Sequence, residues 1–256
     1  MTALLKTASK QWDVLRHAWN DVLRDANEDS VHELRVASRR ILSCLSLVDS
    51  ILLANHRSKA RRKIKRLMKK LGPLRDVQVQ TSISRSWPRT KAPLGFQEYL
   101  KRRIVTKSKA VQSYLTDKRK RAIRDSLKDA ELDARRSLQD LSPELVRSRL
   151  SAALESQRDE FHAAKGAAKS QDRKKVHRLR VAAKRLRYSL EALEPDLTEN
   201  PDAEVRALRR YQKDLGRKRD LSILKDALHD WRSRQRRKSP ANVSGRPPRR
   251  TASVSA

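Results

Sequence analysis

The amino-acid sequence predicts an all-α protein: two four-helix bundles related by an internal pseudo-twofold, joined by a long helix, with a basic cavity at the centre. Three observations carry this expectation. VHELRVASRR at 31–40 returns as VHRLRVAAKR at 176–185, and LGPLRDV at 71–77 returns as LGRKRDL at 215–221, so one helical module occurs twice in the same order. Apolar residues recur at helical spacing, and no alternating run of β-branched residues is long enough to predict a strand. Aromatic residues make up 4% of the 256, so the core must rest on Leu, Ala, Val and Ile, which suits helices.

In order along the chain, Ala8, Trp12, Leu15, Trp19, Val22 and Leu23 predict a first helix over about 3–27 with its tryptophans in the core. Ser30 stands three residues before Glu33, a capping box that predicts the start of a second helix reaching about residue 54. A third helix, about 58–71, is expected to stop at Gly72-Pro73, with Asp76 opening a fourth that ends before Pro88. Pro88 and Pro93 make 86–94 a connector, and one charged helix is predicted from about 95 to 138. Ser142-Pro143-Glu144 places a cap, a first-turn proline and a favourable carboxylate in order, which opens the counterpart of helix one. Later helices are expected near 171–194, 201–215 and 219–234. The first repeat is thus about 3–86 and the second about 142–235, in a unit spanning 1–235. From 236 to 256 the chain is Ser-, Pro- and Arg-rich with no apolar period, which predicts a disordered basic tail.

Lys and Arg number 62 against 30 Asp and Glu, a formal charge of +32, so a polyanionic partner is expected. No run of eighteen apolar residues occurs and the N-terminus lacks the pattern of a signal peptide, so no membrane association and a cytoplasmic location are expected. The single cysteine, Cys44, stands among Leu34, Ile41, Leu45 and Val48 and is expected to be a packing residue.

On the second helix, Leu34, Ala37, Ile41, Leu45, Val48 and Leu52 form an apolar stripe, and His32, Arg35 and Arg39 lie opposite. In the copy, Leu179, Ala182, Leu186, Leu190 and Leu193 take the core side, with Arg173, His177, Arg180, Lys184 and Arg187 opposite. The third helix presents Arg62, Lys65, Arg66 and Lys69, and each has a basic counterpart 144 residues on, in Arg206, Arg209, Arg210 and Lys213. A solvated face ordinarily mixes signs, because like charges three or four apart cost a few tenths of a kcal/mol per pair. These ladders contain no carboxylate, which points to a bound anion offsetting the repulsion. The Leu-Gly…Arg-Asp echoes are expected to be structural, with Gly72 and Gly216 as helix caps and Asp76 and Asp220 either starting a helix or pairing with Arg75 and Arg219. His17 and His162 occupy equivalent places but lack a cationic pattern, and His56 and His229 have no supporting constellation.

No phosphate-binding glycine loop, paired-cysteine zinc motif, HExxH or nucleophile elbow is present. No cofactor, no metal and no catalytic activity are therefore expected. Phosphotransfer at His32 or His177 would lack the acid and metal such chemistry needs.

At VHELRVASRR, VHRLRVAAKRLRYSLE and the two Leu-Gly…Arg-Asp segments the sequence resembles the CHAD family of conserved-histidine α-helical domains, over about residues 3–235. The resemblance implies two four-helix bundles with a basic central surface that binds inorganic polyphosphate, and association with polyphosphate granules. It implies ligand roles for His32, Arg35, Arg39, Arg40, His177, Arg180, Lys184 and Arg185, and for the basic faces of the third helices. The strand motifs of the triphosphate-tunnel domain fused to some family members are absent, so a stand-alone domain is expected. A histone-like protein binding nucleic acid without sequence readout is the competing expectation. The ladders lack the interleaved aromatics that single-strand binders use, Tyr188 excepted.

Overall fold

The structure is a computed structural model that describes residues 2–53, 58–87, 93–170, 172–193 and 201–238, all helical or in short turns. Among the described residues eight α-helices follow one another: α1 (Thr2–Arg24), α2 (Glu28–Ile51), α3 (Lys59–Arg85), α4 (Phe96–Tyr114), α5 (Asp117–Gln139), α6 (Pro143–Ala167), α7 (Arg173–Leu193) and α8 (Pro201–Lys238), with a 3₁₀ turn at Ala168–Ser170.

Local chemistry sets the starts. Asn27 caps α2, its Oδ1 accepting from Ser30 N at 2.9 Å, so the expected cap at Ser30 is displaced by one turn. The Ser30 hydroxyl instead donates to the Asp25 carbonyl at 2.7 Å. Ser58 caps α3 and Ser142 caps α6, the latter with Pro143 in the first turn as the sequence predicts. Asp172 accepts from Lys174 N and Lys175 N at the start of α7.

Two expected breaks do not occur. Helix α3 runs through Gly72-Pro73, and α8 runs through Gly216. An interior proline costs about 3 kcal/mol. Beyond it, however, Leu74 and Val77 are buried on the stripe begun by Leu67 and Leu71, and full burial of one such side chain yields about 1.5–3 kcal/mol. Tertiary burial therefore carries α3 across the proline, and the interior glycine of α8 costs only about 1 kcal/mol. Asp76 and Asp220 consequently sit inside helices and start none.

One expected helix is broken. The 95–138 stretch divides at Leu115, and Thr116 caps α5 by accepting from Arg119 N at 3.3 Å. The turn lets Leu115 and Ile123 enter the same core.

Each repeat therefore supplies three long helices where four were expected, α1–α3 and α6–α8, with α4 and α5 between them. One core joins Leu15, Trp19 and Val22 of α1, Leu34 and Ile41 of α2, and Leu67 and Leu71 of α3 to Val111 and Ile123. A second joins Leu150 and Phe161 of α6, Leu186 and Leu190 of α7 and Leu208 of α8 to Cys44 and Leu47 from the end of α2. Cys44 is buried, and burial pushes its thiol up to about 12, as suits a packing residue. A third cluster packs Val77 of α3 and Leu224 of α8 with Phe96 and Leu100 of α4. Corresponding helices touch each other, α2 against α7 and α3 against α8, and Ser43 Oγ lies 3.4 Å from Ser189 Oγ at the α2–α7 contact.

Helix α8 continues to Lys238, three residues into the expected tail; the remainder of that tail, 239–256, lies outside the described residues, as do His56 and Pro195. No helix among the described residues is long and apolar enough to cross a membrane.

Candidate anion-binding site

The middle turns of α2 and α7 bring cations from both repeats together. Arg35 Nη1 donates to the Met68 carbonyl of α3 at 3.1 Å, and Arg180 Nη1 donates to the Leu215 carbonyl of α8 at 3.2 Å. Each repeat thus anchors the arginine of its repeated Leu-Arg-Val motif on the facing helix, within about one turn before the glycine of the second motif. A Cβ on Gly72 would meet Arg35 Nη1 at 4.0 Å, an ordinary contact, so Gly72 is not required by steric closeness there.

These faces are not the open solvated surfaces a helical wheel places opposite a core. Arg35, Arg39, Arg180 and Lys184 are all half-buried, because α3, α8 and the other repeat cover them. Burial pushes Lys184 down to about 7, and Arg39, Arg180, Arg35 and Arg187 add to the shift by repulsion. Burial and then Arg39 push Arg35 to about 10, still fully charged at neutral pH. Arg180 is lowered by burial and then by Arg219, and His32 by burial and then by Arg75. The cations of the first repeat act on Lys184 and Arg180 of the second, so they share one space. Two carboxylates enter it from α3 and α8: Asp76 opposes the shifts of both arginines, and Asp220, raised by burial, opposes that of Arg180.

Other expected site residues are engaged elsewhere. Glu191, whose side chain is 9% exposed, accepts from Arg187 Nη1 and from Arg209 Nη2, each at 2.8 Å, with Arg40 Nε at 3.9 Å. It follows Arg187 by four residues, so the ladder does contain a carboxylate, and that carboxylate clasps α2, α7 and α8. Arg187 also donates to Gln212 Oε1 at 3.1 Å. Arg185 pairs with Glu160 at 3.0 Å on the surface. Arg173 reaches Ser222 Oγ at 3.1 Å and Asp226 at 3.2 Å. Arg62, Lys65, Arg66 and Lys69 of α3, and Arg206, Arg210 and Lys213 of α8, are exposed along the first turns of their helices.

The second repeat holds a cleft of about 500 Å³ between α6, the 3₁₀ turn, α7 and α8. Its basic lining is Lys165, Lys169, Arg173, His177, Arg180 and Arg219. Lys165, Lys169 and Arg219 were not among the expected site residues. Arg219 and its counterpart Arg75 were legible as a pair 144 residues apart, yet their adjacent aspartates made a local structural role the simpler expectation. Arg75 does take such a role, donating to Glu28 Oε1 at 3.0 Å, whereas Arg219 has no hydrogen bond or ion pair among the described residues. No group of three or more His, Cys, Asp or Glu side chains among the described residues is placed to hold a metal ion.

The fold and the cluster define an all-helical, internally repeated protein whose two halves turn cations toward one space. The family model for the CHAD domain matches residues 6–229, and the chain belongs to that family, which is associated with polyphosphate binding. The fold is similar to the crystal structure of the CHAD domain from the plant Ricinus communis, with a TM-score of 0.78 at 21% identity over 92% of this chain and 80% of that one. No curated protein matches the chain.

Proposed function

We propose that the protein binds inorganic polyphosphate without catalysis, through the cations shared between α2 and α7, and that it acts at polyphosphate granules. The observation that carries this is the convergence of Arg35, Arg39, Arg180 and Lys184 on one half-buried space, where repulsion helps push Lys184 down to about 7. Burying like charges is costly, Asp76 and Asp220 offset only part of that cost, and a polyanion in their midst reverses the sign of the interaction. Arginine offers forked donors to phosphoryl oxygens, and lysine a point charge. A chain of phosphates presents no bases and needs no stacking. Consistent with this, Tyr188, the one aromatic of the ladder region, is buried with Arg187 over its ring at 4.2 Å.

The test is a titration at physiological salt with orthophosphate, tripolyphosphate and long-chain polyphosphate, followed by competition with duplex DNA. Affinity is expected to rise with chain length and fall with salt, as counterions are released, and long-chain polyphosphate is expected to displace the duplex. Orthophosphate binding as tightly as the long chain, or DNA displacing polyphosphate, contradicts the proposal.

A further inference from the structure

The cleft of the second repeat is chemically unlike the central cluster. Beneath its cationic rim lies a floor of Val176, Leu179, Tyr211 and Leu215. The Tyr211 ring is held edge-on against Phe161, with centroids 5.7 Å apart and planes at 90°, and Lys165 Nζ lies 5.8 Å from its centroid. An inorganic phosphate chain carries only oxygen on its surface and leaves such a floor unsatisfied. A ligand matching both parts has several negative charges at one end and a flat apolar group at the other. The volume lies within the range of small-molecule sites.

The first repeat shows what the same place looks like without this chemistry. Tyr211 corresponds to Leu67 and Arg173 to Glu28. There Arg75 is bound to the Glu28 carboxylate, and Gln78 Nε2, at the position of Ser222, donates to the Ala26 carbonyl at 2.9 Å.

We infer that the α6–α8 cleft is a second ligand site that takes a nucleoside triphosphate, its phosphates on Arg173, Arg180, Arg219 and the two lysines and its base over the Tyr211 floor. Because Arg180 also belongs to the central cluster, this inference rests on the anion-binding reading of that cluster. It assigns the phosphates to the rim and the apolar half to a surface that polyphosphate does not use.

The experiment is calorimetric titration of the full chain with ATP and, separately, with inorganic tripolyphosphate, at one pH and salt. ATP is expected to bind at least tenfold more tightly than tripolyphosphate. Tyr211→Leu, which installs the first-repeat residue, should abolish that advantage, while Tyr211→Phe should keep it. Arg173→Glu should weaken ATP binding at least tenfold. ATP binding no more tightly than tripolyphosphate to the unaltered protein overturns the inference whatever the variants do, and so does an ATP advantage that survives in Tyr211→Leu. Long-chain polyphosphate is titrated alongside: its failure to bind while ATP keeps its advantage overturns the proposed function and leaves the cleft standing, and the opposite pattern overturns the cleft alone.

Discussion

The two repeats keep the same ladder and part company at its flank. In the first, Glu28 opens α2 and Arg75 is bound to it; in the second, Arg173 stands at the corresponding place on α7 and Arg219 lines an open cleft. The anchoring of Arg35 and Arg180 on the facing helices is common to both. A shared feature of two diverged copies marks what the pair does together, and a feature of one copy marks what that half does alone. The central cations belong to the first kind, the α6–α8 cleft to the second.

The largest effect is expected from the residue that holds the repeats against each other. Glu191 receives Arg187 and Arg209 of its own repeat and approaches Arg40 of the other. Glu191→Ala leaves three guanidiniums facing one another, and removing one partner of a buried ionic group costs about 3–5 kcal/mol. A urea melt is expected to show a loss of that size; a loss under 1 kcal/mol means the clasp does not join the repeats.

Lys184 makes the contact between the repeats sensitive to pH. Its folded pKa is pushed down to about 7 by burial first and by cations of both repeats after it. Between that value and the ordinary lysine range the unfolded chain holds the additional proton, so stability rises with pH across the window. Lys184→Met should flatten that rise and stabilise the protein at pH 6 by about 1–4 kcal/mol, the gain seen when buried charges are replaced by apolar groups. Unfolding at pH 6 and pH 9 checks this, and an undiminished pH slope in the variant contradicts it. Polyphosphate favours the charged ammonium, so its binding at pH 8 should take up protons, measurable in buffers of different ionisation enthalpy.

Smaller effects follow from exchanging the flanks. Arg173→Glu should reduce the salt slope of polyphosphate binding by about one and weaken affinity severalfold, and Glu28→Arg should do the reverse. If both changes act in the same direction, the flanks of the two repeats do not differ as the Arg75–Glu28 pair indicates. Smallest of all, removing residues 239–256 should leave the helical circular dichroism unchanged, since that stretch carries no apolar period.

Much of the ladder was legible because its periodicity is local: Arg35, Arg39, Arg180 and Lys184 stand at helical spacing in two copies, opposite an apolar stripe that fixes which face turns to the core. The continuity of α3 was not, since Gly-Pro is a strong local stop that only the burial of Leu74 and Val77 overrides. The break at Thr116-Asp117 carried a cap signal but was masked by a charged pattern that reads as helix throughout. The role of Glu191 depends on α2 and α8 arriving beside α7, and the cleft on where α6 ends, neither of which any window of sequence contains.

The most direct measurement compares two quadruple variants of equal formal charge change. One converts Arg35, Arg39, Arg180 and Lys184 to Gln, which removes the charge and keeps a polar side chain; the other converts Lys101, Lys107, Lys109 and Lys118 of α4 and α5 to Gln. A charge-assisted hydrogen bond contributes about 1.5–3 kcal/mol before screening, so with both variants shown to be folded by circular dichroism, the first should lose at least 100-fold in affinity for long-chain polyphosphate and the second less than tenfold. Equal losses in the two would show that diffuse positive charge, and not a site shared by the repeats, binds the polyanion.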